Sequence, residues 1–205
     1  MRYEEFVHRT RDFPIFGQEV LGNMSWKRGA MRLQLTRWLK AEKIIRLKRG
    51  LYTLPDDRRK SLFSLRWLAN TLYSPSYVSL EYALYWYDMI PEKVVPVSSI
   101  SVLKTYAVAN PLGRFIYRNL KKELFFGFEE TLDEFKRPVL MATREKALLD
   151  YIYFYKGWQT TEEFLEESIR LQQLETLQKK RLKSYAKKFD LKRISDTVEI
   201  ILSIT

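Results

Sequence analysis

Between Lys27 and Leu54 the chain carries nine Lys/Arg against a single acid, Glu42, on a stretch whose apolar pattern runs from helix straight into hairpin. Met31, Leu35, Trp38 and Leu39 recur at i, i+4, i+7 and i+8, which is one face of a helix. Ser25 is the expected N-cap of that helix. Ile45 and Leu47 then alternate with Ile44, Arg46 and Lys48 at strand period, and Arg49-Gly50 predicts a tight turn. Tyr52 and Leu54 are expected to continue the inward face on the return, and Pro55 with Asp56-Asp57 closes the unit. Upstream, Tyr3, Phe6 and Val7 suit a short amphipathic helix over residues 1–11. Beyond Pro14, Phe16 to Leu21 suit another, ended by Gly22-Asn23, which both tolerate positive φ.

Helix, helix, helix, hairpin within residues 1–57 is the plan of a winged helix-turn-helix, with the third helix as recognition helix and the hairpin as wing. The charge is placed accordingly. Of a net +11, residues 1–60 hold fifteen Lys/Arg against seven Asp/Glu, and residues 61–205 hold 21 against 18. Cations without interleaved acids suit a polyanion, because each neutralised phosphate releases condensed counterions. A merely solvated helix would alternate Glu with Lys for i,i+4 pairing. Residues near the start of a recognition helix enter the major groove, so Lys27, Arg28, Arg32 and Gln34 are the candidates for base edges. Arg37, Lys40, Arg46, Lys48 and Arg49 are the candidates for phosphates.

The absence of cysteine excludes a disulfide framework, a thiolate zinc site and a thiol nucleophile, and fits a reducing cytosol. No apolar run approaches the ~18 residues of a membrane span. Acids in MRYEEFVHRT argue against a targeting segment, so a cytoplasmic location and no membrane partner are expected. His8 is the sole histidine, which disfavours Ser-His-Asp chemistry and His-rich metal sites. Phosphate-binding glycine loops are missing, as is the Gly-Ser pair with Asp-x-Asp that a nucleotidyltransferase needs for magnesium. The best enzymatic alternative is a metal-dependent nuclease on Glu134-Phe135-Lys136, yet no Asp occurs between Asp88 and Asp133 to complete it. No catalytic, cofactor or metal site is expected.

Residues 58–205 read as a larger mixed α/β domain with a helical C-terminal tail, giving an α+β chain. Helices are expected over 59–72, after Pro75 with Ser79 as cap, and over Arg144–Tyr155 capped by Thr143. Strands are expected twice within Val94–Val108, then at Arg114–Arg118, Leu124–Phe128 and Pro138–Met141. From Thr161 the chain reads as charged helix, with Lys179–Lys188 as a solvated basic face and Leu191–Ile204 as a last amphipathic segment. Tyr77 and Tyr82 read as packing. Glu145 and Asp150, five apart on a helix, do not share a face.

Five blocks in order resemble the abortive-infection AbiE-type antitoxins and the related winged-helix transcriptional regulators. They are LTRWLKAEKIIRLKRGLYTLP (Leu35–Pro55), SPSYVSLEYALYWYDMIPE (Ser74–Glu92), PLGRFIYRNL (Pro111–Leu120), LFFGFEE (Leu124–Glu130) and ATREKALLDYIY (Ala142–Tyr153). The family often has Gly at the end of its recognition helix, where this chain has Glu42. A His-Gly pair common after its Ala-Leu helix stands here as Tyr87-Asp88. The resemblance implies a DNA-binding repressor of its own operon that also neutralises a cognate nucleotidyltransferase-like toxin. Its partners would be double-stranded operator DNA, as an inverted repeat, and that toxin. A different class of function stays open: an interaction module whose basic N-terminal domain binds an acidic protein rather than DNA. Oligomeric state is not legible in the sequence.

Overall fold

Two hydrophobic cores divide the apolar residues of the chain. A computed structural model describes residues 1–24 and 28–204, with backbone alone at Arg28. The expectations for Ser25 and Lys27, and for the Arg28 side chain, lie outside what is described.

The smaller core joins α1 (Tyr3–Thr10), α2 (Gln18–Gly22), α3 (Arg28–Lys40) and the hairpin β1 (Ile45–Lys48) and β2 (Leu51–Thr53). Aromatic packing dominates it: the Phe6 ring lies 4.5 Å from Trp38 and 5.4 Å from Phe16. Phe16 does not open a helix as expected. Its backbone pairs with Tyr52 through N–H···O bonds of 2.8 and 2.9 Å, adding a bridge to the outer side of β2.

α3 ends in a Schellman pattern, with the Lys43 N–H on the Trp38 carbonyl at 2.9 Å and the Glu42 N–H on Leu39 at 3.1 Å. That pattern requires a left-handed residue, and Glu42 supplies it at φ +54. α5 (Leu80–Trp86) closes in the same way: Met89 bonds to Leu84 at 2.8 Å, Asp88 to Tyr85 at 3.1 Å, and Asp88 has φ +57. Both departures from the resembled family therefore fall where glycine is the unstrained choice.

The hairpin lies between the cores and uses both of its faces. Ile44, Tyr52 and Leu54 pack on the smaller core, whereas Ile45, Leu47 and Leu51 pack on the larger one. One inward face was expected; strand alternation sends neighbouring side chains to opposite sides, and here both sides are covered.

The larger core surrounds a six-stranded mixed sheet in the order β5-β6-β4-β3-β8-β7. Its strands are β3 (Ser76–Val78), β4 (Val97–Ser101), β5 (Tyr106–Asn110), β6 (Gly113–Asn119), β7 (Phe128–Leu132) and β8 (Pro138–Ala142). β4–β6 and β3–β8 are parallel and the other pairs antiparallel. Alternation assigns the layers. Tyr117 donates to the Ala69 carbonyl at 2.7 Å, placing α4 (Leu65–Leu72) on one face. Ser98, one residue out of step with Tyr117's partner Ser99, donates to the Ser79 carbonyl at 2.8 Å, placing α5 on the other. α6 (Arg144–Phe154) packs beside α5, and α7 (Lys179–Phe189) and α8 (Lys192–Ser203) pack behind α6.

The strand β3 was not expected; three residues are too few to show a period. α4 begins at Leu65 rather than residue 59, and its start is capped by Ser64, whose side chain accepts from Trp67 N–H at 3.1 Å. The predicted strand at Leu124–Phe128 is instead a 3₁₀ turn, Lys122–Leu124, that leads into β7. Thr143 caps α6 as expected. A π-helical turn (Phe164–Ser168) and a 3₁₀ turn (Leu174–Thr176) interrupt the expected helical tail, whose two long helices dock through Leu182, Phe189, Ile194 and Ile201. Among the described residues no helix is long and apolar enough to cross a membrane.

Candidate nucleic-acid interface

Burial of Leu35 and Trp38 fixes the rotation of α3 and so decides what it presents outward. At 3.6 residues per turn Gly29, Leu33, Thr36 and Lys40 form a line along the exposed side. Arg32 and Arg37 flank that line on opposite sides, both exposed. Leu33 sits at its centre and is 64% exposed. A Cβ at Gly29 would meet nothing within 4 Å, so the surface is open at that end. Gln34 is half-buried, on the flank nearer the core.

In the hairpin, Arg46 and the turn residues Arg49-Gly50 are exposed. Gly50, in the turn that joins Lys48 to Leu51, has φ +78, a left-handed backbone that glycine adopts without steric cost. Lys48 departs from the expected phosphate role. Its ammonium donates to the Leu72 carbonyl at 2.7 Å, against the last turn of α4, where orphan carbonyls and the helix dipole favour a cation. It ties the hairpin to the larger core, as does Asn110, which donates to the Leu47 carbonyl at 3.2 Å.

Among the described residues Arg32, Arg37, Lys40, Arg46 and Arg49 form no ion pair. Several cations elsewhere are committed. Arg59 pairs with Asp56 at 2.5 Å and Arg66 with Glu134 at 2.9 Å; Arg137 donates to the Leu62 carbonyl at 2.6 Å. In the basic run of α7, Arg181 reaches Glu129 at 3.3 Å, Lys183 reaches Glu199 at 3.6 Å, and the Lys188 ammonium lies 4.3 Å from the Phe126 ring centre.

Glu134 of the nuclease alternative spends its carboxylate on Arg66, and among the described residues no three His or acidic side chains gather as metal ligands. Ser79 stands at the N-cap of α5, but its hydroxyl donates to Asp150 at 2.8 Å instead of capping the helix. Tyr77 donates to the same Asp150 oxygen at 3.0 Å, and the ammonium of Lys146 pairs with the other oxygen. All four residues are buried. Burial pushes the Lys146 ammonium down and the Asp150 carboxyl up, each pulled back by its partner. This network was missed. Its only sequence signal is a Lys and an Asp at i,i+4 among Ala147, Leu148 and Leu149, where a charged pair has no solvent-facing side to occupy.

The chain matches no protein-family profile, and no curated protein matches it.

Proposed function

We propose that residues 1–57 form a winged helix-turn-helix that binds duplex DNA, and that the chain is a transcriptional repressor of the antitoxin type. One observation carries the reading: Arg32, Arg37 and Lys40, without ion pairs among the described residues, surround the exposed Leu33 on α3, a helix that holds no acid. Such a face offers Arg to guanine edges and phosphates, and Leu33 to thymine methyl groups. The hairpin tip would add Arg49 and Arg46 to the flanking backbone. Glu42 and Asp88 lend further support, since both occupy left-handed positions where the resembled regulators often carry glycine. In this reading the larger domain serves the toxin partnership that the resemblance implies.

A gel-shift series on the DNA upstream of the chain's own gene, run from low to physiological salt, tests it. A sequence-preferring complex that persists at physiological salt is expected. Equal binding to all DNA at low salt and none at physiological salt would refute the regulator, leaving general polyanion attraction. Co-expression with an adjacently encoded nucleotidyltransferase-like toxin tests the second half: growth rescue is expected.

A further inference from the structure

On the sheet face covered by α5 and α6, a cavity of about 240 Å³ opens beside the end of α6. Its wall is aromatic: Tyr151, Phe154 and Tyr155 line it, all half-buried, and the rings of Tyr151 and Tyr155 meet edge-on at 5.4 Å. Three charges line the same space. Arg118 of β6 and Lys156, just after α6, line its exposed rim, and half-buried Glu81 lines it from the first turn of α5. Among the described residues none of the three has an ion-pair partner, although opposite charges share one small cavity. Charges left apart in this way are available to a ligand that carries both signs.

Backbone strain marks the same place. Leu80 lines the cavity, is buried, and has φ +59, an outlier for a bulky side chain. Strain of this kind collects at ligand clamps, where the surrounding fold holds it. Burial, with the nearby negative charge of Glu81 adding to it, keeps the Tyr151 hydroxyl protonated and a donor well above its ordinary range.

We infer that this cavity binds a zwitterionic aromatic amino acid, with the carboxylate on Arg118 and Lys156, the ammonium on Glu81 and the ring among Tyr151, Phe154 and Tyr155. The volume accommodates one ring. At ~30 Å³ per water the space equals about eight waters, enough for one ring with a short charged arm. The charge set does the rest: a single cation would accept any anion, whereas cations and a carboxylate together require both charged groups. The inference does not depend on DNA binding and is tested without DNA.

The probe is L-phenylalanine titrated into the full chain, read by calorimetry and by tryptophan emission, since the Trp158 ring lies 6.0 Å from both Tyr151 and Tyr155. L-Phenylalaninamide lacks the carboxylate and represents the first residue of a peptide. N-Acetyl-L-phenylalanine lacks the ammonium and represents the last. Saturable binding of phenylalanine is expected, with each blocked derivative weaker by about tenfold or more. Arg118→Gln should weaken phenylalanine about tenfold and leave the amide unchanged. Glu81→Gln should weaken phenylalanine and leave the N-acetyl derivative unchanged. Thermal melting of both variants confirms that they fold. No saturable binding of phenylalanine up to about 10 mM, or equal binding of all three probes, would overturn the assignment. So would a phenylalanine affinity unchanged in both variants.

Discussion

The ammonium of Lys48 rests on the carbonyl oxygen of Leu72 at 2.7 Å, joining the hairpin to the last turn of α4. Two neighbouring cations of one turn thus have separate work, since Arg49 beside it is exposed and unpaired among the described residues. Lys48→Met should cost about 0.5–1.5 kcal/mol of stability, the net value of one hydrogen bond, and leave the salt dependence of DNA binding unchanged. Arg49→Ala should leave stability unchanged and lower the salt slope by about 1. Urea denaturation and gel shifts at several salt concentrations read both. A slope that falls with Lys48→Met and not with Arg49→Ala would reverse the assignment.

On α3 the expected division is between sequence preference and overall affinity. Arg32→Ala should cost about 1–3 kcal/mol on the preferred operator and much less on scrambled DNA. Arg37→Ala should weaken both equally, as loss of a phosphate contact does. Leu33→Ser should reduce discrimination at A·T positions with little change in salt slope. Competition binding with operator and scrambled duplexes measures all three. Equal losses on both duplexes for Arg32→Ala would remove it from base readout.

Much of the fold was legible because its signals are local. Leu35 and Trp38 announced the buried face of α3, Arg49-Gly50 the turn, and Thr143 the start of α6. What escaped was set by contacts distant in sequence. β3 is three residues long and is a strand only because β4 and β8 flank it. The hairpin's second buried face follows from the larger core, which nothing in residues 44–54 specifies. Lys48 reads as a surface cation until α4 arrives with an open carbonyl. Leu33 broke the polar pattern of its face, and only burial of the opposite side shows that it belongs outside. The charges around the aromatic cavity come from three separate elements and leave no spacing to read.

Asp150 accepts from Tyr77 and Ser79 while pairing with Lys146, so removing one charge strands several polar groups at once. Lys146→Met should destabilise by about 3–5 kcal/mol, because a buried carboxylate loses its counter-charge. Lys146→Met combined with Asp150→Asn should cost less than the sum of the two single changes. A double-mutant cycle by urea denaturation gives the coupling. Additive costs would mean that the two side chains act independently despite their contact.

Asp133 organises the turn between β7 and β8 with its carboxylate. It accepts from the Ser64 N–H at 3.1 Å, Phe135 at 2.9 Å and Arg137 at 2.8 Å. Burial acts to raise its pKa, but these backbone donors outweigh it and hold the carboxyl below the ordinary range. Its stabilisation is therefore complete above the unfolded value of about 3.9 and is lost as the pH falls through the lower folded value. Asp133→Asn should cost about 1–3 kcal/mol at neutral pH, since the amide turns a donor toward one of these N–H groups. The gap between wild type and variant, from urea curves at neutral and acid pH, should close as the pH drops below that range. A gap independent of pH would show that shape, not charge, holds the turn.

Glu42 offers a substitution expected to improve two properties together. Its left-handed backbone, φ +54, ends α3, and such a conformation costs a non-glycine residue about 1–2 kcal/mol. It is also the only acid among the nine cations from Lys27 to Leu54. Glu42→Gly removes the strain and the repulsion toward phosphate, while the hydrogen bonds that close the helix use backbone atoms alone and survive. Greater unfolded-state freedom of glycine offsets part of the gain, so a net stabilisation of roughly 0.5–1 kcal/mol is expected. DNA binding should tighten at low salt and converge on wild type as salt screens the charge. Glu42→Gln separates the two effects: it should reproduce the tighter binding without the added stability. If Glu42→Gly lowers the melting temperature, the left-handed cap is not the strained element described; if Glu42→Gln binds no more tightly, DNA does not approach this end of α3.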